Sequence, residues 1–201
     1  MGKLIAVVGN SGVGKTTLTR ALVQAGGFVC ALEQHDERPF HAAMAHDRHR
    51  YGLANQIDFL LHRAEQERWL RDQAGIGIQD GGLDLDYQLF SRRFAGQGYL
   101  SGDEHALCAR LYTQLRACLP PPDLIIHLSA PLEVIARRYS QRRREVEIAS
   151  LADLASLDSL LHEWLATVDA GRLLTLDASE DNFCAPAQVA ALLAEIATRL
   201  A

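Results

Sequence analysis

The residues Gly9-Asn10-Ser11-Gly12-Val13-Gly14-Lys15-Thr16 follow the pattern GxxxxGK[ST], directly after the apolar run Lys3 to Val8. Glycines at this spacing let backbone N–H groups turn inward around phosphate oxygens. A helix beginning at the same point adds positive partial charge. Thr17-Leu18-Thr19-Arg20-Ala21-Leu22 is a plausible start for that helix. Lys15 is expected to reach the β- and γ-phosphates of a nucleoside triphosphate such as ATP, and the Thr16 hydroxyl to ligate Mg²⁺. Gly9 to Thr17 is therefore the expected nucleotide-binding segment. A chance match in a glycine-rich turn is the bland alternative, but strand, loop and helix all fall where the motif needs them.

Two further groups of residues suit phosphoryl transfer. Arg137-Arg138-Tyr139-Ser140-Gln141-Arg142-Arg143-Arg144 follows an apolar run and a helix opening at Pro131. This order carries the cluster over the carboxyl ends of the strands, where open α/β sheets bind ligands. Guanidinium groups that close over a transferring phosphoryl group stabilise its charge, so a lid over about 137–147 is expected; a solvated basic helix face is the alternative. Glu33 and Asp80 each end an apolar run. One carboxylate can take the proton of an attacking hydroxyl while another supports the metal, although a lone strand-end acid is more often a turn residue. With Asp84 and Asp86 these acids favour a neutral hydroxyl acceptor over an anionic one.

The elements that must position these residues are legible in outline. Five short apolar runs, Lys3 to Val8, Phe28 to Glu33, Ile76 to Asp80, Asp123 to Ser129 and Arg172 to Asp177, alternate with helical patterns. That alternation predicts a parallel sheet wrapped by helices in one domain spanning residues 1–201. The longest helical pattern, Tyr51 to Arg71, repeats Leu53, Ile57, Leu60, Leu61 and Ala64 at helical spacing, a face expected to pack on the sheet. Pro120 to Pro122 stop the helix ending near Cys118. Lys and Arg total 20 against 25 Asp and Glu, a net charge of -5, which argues against general nucleic-acid binding. Cys30, Cys108, Cys118 and Cys184 have no metal-ligand spacing and are expected to be buried thiols. The apolar run at the amino terminus is too short for a signal segment, and no stretch nears the roughly 20 apolar residues of a membrane span. A cytoplasmic protein without a membrane partner is expected.

Taken together, these residues resemble the deoxynucleoside kinase family over nearly the whole chain, from Gly9 through Trp164. The most specific parts are Arg50-Tyr51 to Gln56, Phe59-Leu60-Leu61-His62-Arg63, Asp80 to Asp86, Gly98-Tyr99-Leu100-Ser101, and Arg138, Arg142, Arg144 and Glu147. Arg38-Pro39-Phe40 resembles the Asn-Pro-Phe that follows the family's catalytic acid. The resemblance implies a three-layer P-loop kinase fold with strand order 2-3-1-4-5. It implies ATP-dependent phosphorylation of the 5′-hydroxyl of a deoxynucleoside or nucleoside-like alcohol. Glu33 matches the general base, and Asp80 the acid of the Glu/Asp-Arg-Ser motif. Lys15, Arg142 and Arg144 match the catalytic cations, and Arg138 a donor-side arginine. Gln56, Arg63, Asp86 and Glu147 match substrate-binding positions, and Thr16 with Asp80 the metal side. A homodimer is implied as well.

The departures fall on the acceptor side. Gly81-Gly82 stands where the family has Arg-Ser, Ala45 where it has a sugar-binding tyrosine, and Asn55 where it has an aromatic beside the base-pairing glutamine. Arg48, Arg50, Arg92 and Arg93 are the candidates for replacing the lost arginine. Two alternatives stay open on sequence: a kinase with a non-nucleoside acceptor, and a nucleotide-binding regulatory module without transfer chemistry.

Overall fold

The computed structural model describes residues 1–32, 38–141 and 150–201. Its centre is a five-stranded, all-parallel sheet in the order β2-β3-β1-β4-β5. The strands are β1 (Leu4–Val8), β2 (Val29–Ala31), β3 (Gly77–Asp80), β4 (Leu124–Ser129) and β5 (Leu173–Asp177). Each lies inside the apolar run that predicts it, one or two residues shorter at its ends. β1 is central and buried throughout, pairing Val7 with Asp80 of β3 on one side and Val8 with His127 of β4 on the other.

Helices cover both faces, as parallel strands linked by crossovers require. On one face Ile5, Val7, Ile78, Ile126 and Leu128 meet α1 (Lys15–Gly26), α7 (Leu132–Gln141) and α9 (Pro186–Leu200). α9 presents Val189, Leu192, Ile196 and Leu200, a stripe at helical spacing. On the other face Ala6, Val8 and Ile125 pack against Leu85 and Leu89 and against Leu157, Leu161 and Trp164 of α8 (Leu154–Leu165). α2 (Pro39–His46), α3 (Arg48–Asp72) and α6 (Gly102–Cys118) build a third cluster around Met44, Leu60, Phe94 and Cys108. Between β3 and α6 the chain runs through a short α4 (Leu83–Leu85), a π-helical turn over Asp86–Ser91, and α5 (Arg92–Gly96).

Two sequence expectations need correction. Leu61 is 42% exposed, because neighbouring helix residues point about 100° apart and the buried face of α3 runs through Gln56, Phe59, Leu60, Arg63, Glu67 and Leu70. That face carries polar groups among its apolar ones, and an apolar template cannot find them. Cys118 is exposed at the end of α6, whereas Cys108 is buried; burial lifts the Cys108 thiol to about 11.

The charged groups on α3 form part of a buried network with α6. Arg116 donates to both oxygens of Glu67 (2.9 Å each) and to Asp84 (2.8 and 3.1 Å), and Tyr112 donates to Asp84 at 2.7 Å. Arg71 adds bonds to Asp123 and to the carbonyls of Gly2, Pro120 and Pro121. Burial raises the Glu67 carboxyl pKa, partly countered by Arg116. Charges this deep are stable only when so partnered.

Candidate active site

The loop between β1 and α1 takes the shape its glycines permit. Gly9, Gly12 and Gly14 all have positive φ. At Gly14 (φ +116°) a Cβ would also lie 2.6 Å from the Phe183 ring, so shape and packing both demand glycine. α1 begins there with no side-chain cap and no acidic residue in its first turn. No side chain caps that turn, the arrangement that suits an incoming anion. Lys15 Nζ donates to the carbonyls of Gly9 and Asn10 at 3.1 Å each, lying across the loop. Ser11 N–H is turned toward Asn10 Oδ1, and Asn10 Nδ2 donates to Leu154 O at 2.8 Å, tying the loop to the start of α8.

Thr16 and Asp80 meet at the carboxyl ends of β1 and β3. The Thr16 hydroxyl donates to Asp80 Oδ2, and Asp80 is fully buried. β-strand alternation explains the meeting: Val7 and Asp80 are paired in register and face α1 together. A hydroxyl and a carboxylate at one point are hard oxygen donors, the chemistry Mg²⁺ prefers, and Mg²⁺ needs few protein ligands. Among the described residues no group of three or more His, Cys, Asp or Glu could hold a metal ion. Glu33 lies outside the described residues; Leu32, just before it, accepts a hydrogen bond from Gln66 Nε2 at 3.1 Å. Beside it, a cavity of about 410 Å³ opens between β2 and α3, lined by Cys30, Leu32, His62, Gln66 and Trp69 among others.

Gln56, Arg63 and Asp86 come together on the acceptor side. Arg63, fully buried, donates from Nε to Asp86 Oδ2 at 2.5 Å and from Nη1 to Gln66 Oε1 at 3.1 Å. Gln56 Nε2 donates to the Asp86 carbonyl at 3.3 Å and to Ser91 Oγ at 3.0 Å. Ser91 escapes sequence reading because the π-helical turn shifts which residues share a face. Asp84, in contrast, is engaged by Arg116 and Tyr112, so it adds no open charge to the acceptor side.

The arginines proposed to replace the lost motif residue are engaged elsewhere. Arg92 pairs with Glu163, Arg93 with Asp153, and Arg48 and Arg50 lie over the rings of Tyr99 and Tyr51. The guanidinium beside Gly81 is that of Arg63, whose Nη2 lies 3.2 Å from where a Gly81 Cβ would be. Ala45 is exposed on α2, and Asn55 is buried beside Gln56.

The described residues on either side of 142–149 are held by named contacts. Arg138 donates to the carbonyls of Val13 and Ala178 and to Asp181, with its guanidinium 5.3 Å from the centre of the Phe183 ring. Asp181 and Phe183 thus reach the phosphate loop from a segment with no sequence signal. At the far end Asp153 accepts from Ser150 N (2.6 Å), Ser150 Oγ and Gln97 Nε2 (2.9 Å) and pairs with buried Arg93. Burial opposes the Asp153 charge, yet the bonds from Arg93 and Ser150 prevail and hold its carboxyl at about 2. Arg142, Arg144 and Glu147 lie outside the described residues.

A phosphate loop at the end of β1, a sheet ordered 2-3-1-4-5 and a threonine–aspartate pair beside the loop define a P-loop kinase. The sequence pattern of the deoxynucleoside kinase family matches residues 5–200, and the chain belongs to that family. It is 30% identical to the deoxyadenosine/deoxycytidine kinase of Bacillus subtilis (strain 168), over 86% of this chain and 81% of that protein. It is also 30% identical to the deoxyadenosine kinase of Dictyostelium discoideum, over 83% and 68%. In fold it is similar to the M. mycoides deoxyadenosine kinase with products dCMP and dCDP bound, with a TM-score of 0.83, 20% identity, and 97% and 99% of the two chains covered. The chain is thus a kinase that uses ATP to phosphorylate deoxynucleosides. A non-nucleoside acceptor and a module without transfer chemistry are not favoured.

Proposed function

We propose that the enzyme transfers the γ-phosphoryl group of ATP to the 5′-hydroxyl of deoxynucleosides whose base carries an amino group, deoxyadenosine and deoxycytidine foremost. The observation that carries the base preference is the orientation of Gln56. Its Nε2 is committed to the Asp86 carbonyl and Ser91 Oγ, which leaves Oε1 as the acceptor. An amide oxygen accepts a hydrogen bond from the amino group that adenine and cytosine share. The name of the Bacillus subtilis relative, a deoxyadenosine/deoxycytidine kinase, supports the same choice.

In this reading Glu33 removes the 5′-hydroxyl proton as that oxygen attacks. Lys15 and the loop N–H groups of Gly9 to Thr17 hold the triphosphate. Arg138, Arg142 and Arg144 neutralise the charge that develops on the phosphoryl group, and Glu147 holds the sugar 3′-hydroxyl. Thr16 and Asp80 would hold Mg²⁺, which would supply positive charge against the triphosphate during transfer. We place the active protein in the cytoplasm as a homodimer joined through α3 and α6, where Leu61, Trp69 and Leu107 are exposed. Light scattering at micromolar concentration tests the dimer.

The experiment is a deoxynucleoside panel with ATP and Mg²⁺, with product position read by phosphorus NMR. Deoxyadenosine and deoxycytidine 5′-monophosphates are expected as the main products. Equal rates with thymidine would overturn the base assignment.

A further inference from the structure

Gln79 is fully buried on β3, and neither atom of its carboxamide has a hydrogen-bond partner among the described residues. An amide left unpaired in a protein interior is costly, and native structures rarely keep one without a reason. Its surroundings give it no local partner. Ala6 on β1 and Ala31 on β2 flank it in register, and neither side chain can hydrogen-bond.

Its direction follows from the strand. Residues 77 and 79 share one face of β3, and Gly81 follows the strand with φ +82°. A Cβ at Gly77 would meet Leu70 of α3, and a Cβ at Gly81 would meet Arg63 of the same helix. Gln79 therefore faces α3 between those two contacts. Its Nε2 reaches forward to within 2.5 Å of where a Gly82 Cβ would stand. Glycine at 82 is favoured by its backbone (φ +136°), and the Gln79 amide fills the space beside it. In place of an Arg-Ser pair, this chain sets one buried amide and one buried guanidinium beside consecutive glycines.

We infer that Gln79 is a further specificity-determining residue, whose carboxamide hydrogen-bonds to the polar edge of the deoxynucleoside base alongside Gln56 and the Arg63–Asp86 pair. The inference rests on the reading of the acceptor as a deoxynucleoside. A carboxamide presents a donor and an acceptor side by side, the pattern complementary to an amino group next to a ring nitrogen. An unpartnered buried amide is strained while free and satisfied when the base arrives, so it favours binding at the expense of stability in the free enzyme.

The test replaces Gln79→Leu and, to guard against a packing effect, Gln79→Met. Both variants are assayed with the deoxynucleoside panel and melted with and without nucleoside. The expected result is a KM for the preferred deoxynucleoside raised about tenfold, with kcat and the KM for ATP within about twofold of wild type. The ligand-free melting temperature is expected to hold or rise, because an unpaired amide has gone. A purely structural or water-satisfied amide would leave KM unchanged. Retention of wild-type kcat/KM for every deoxynucleoside, or a lowered ligand-free melting temperature in both variants, overturns the assignment. Failure of the wild-type protein to phosphorylate any deoxynucleoside would strike the functional reading instead. In that case, a nucleoside-induced melting shift that persists unchanged in both variants still overturns the role of Gln79, and one that is lost upholds it.

Discussion

The Thr16 hydroxyl donates to the Asp80 carboxylate across 64 residues of sequence, joining the first turn of α1 to the end of β3. Register explains it: β1 and β3 pair in parallel, so the residue after the phosphate-loop lysine and the last residue of β3 reach the same point. Asp80 therefore stands on the donor side of the sheet, whereas Gln79, one residue earlier, faces α3.

From that contact we expect Asp80→Asn to raise the Mg²⁺ concentration for half-maximal activity by roughly 10- to 100-fold, the usual cost of losing a carboxylate beside a metal. Thr16→Ala is expected to act in the same direction. A magnesium titration of initial rates checks both; an unchanged half-saturation point in Asp80→Asn removes Asp80 from the metal side.

Glu33→Gln keeps the size of the side chain and removes its basicity. Turnover is expected to fall about 10²- to 10⁴-fold, with ATP affinity retained. Single-turnover rates with ATP and deoxyadenosine, together with calorimetric ATP titration, separate the two quantities.

The buried network on α3 and α6 predicts a stability effect without a catalytic one. Glu67→Ala leaves Arg116 with only Asp84 and the Pro120 carbonyl and is expected to cost about 3 kcal/mol or more of folding stability. Urea unfolding measures the loss, and kcat at low temperature is expected to stay near that of the wild type.

His127 predicts a pH dependence. Burial, and then the neighbouring His162, push its pKa down to about 4 from the ordinary 6.5. The folded state therefore holds His127 neutral where the unfolded chain would protonate it. Unfolding takes up a proton in that window, so stability falls as pH drops from about 6.5 toward 4 and is unaffected above. His127→Leu is expected to flatten the melting temperature against pH over that range, measured by differential scanning fluorimetry.

The donor half was legible in sequence because local motifs encode it: the loop, its lysine and its threonine lie within one strand–turn–helix unit. The five strands were legible for a similar reason, since buried parallel strands read as apolar runs, whereas their order was implied only by the family resemblance. The acceptor half was less so. Its geometry depends on which face of α3 turns inward, and that face mixes buried Gln56, Arg63 and Glu67 with Phe59, Leu60 and Leu70. The partner of Asp84 comes from Arg116, and the guanidinium beside Gly81 from Arg63, each more than fifteen residues away in sequence. Asp181 and Phe183 carry no motif; the packing of Phe183 against Gly14 and the Arg138 contacts to Val13, Asp181 and Phe183 show their place beside the loop.

The arginine-bearing segment 142–149 is bounded on one side by α7, where Arg138 grips Val13, Ala178 and Asp181. On the other side it is bounded by Ser150, where Asp153 grips Arg93 and Leu154 holds Asn10. Both anchors end on the phosphate loop itself, Arg138 on Val13 and Leu154 on Asn10, so the helices on either side of 142–149 share one fixed point at the triphosphate.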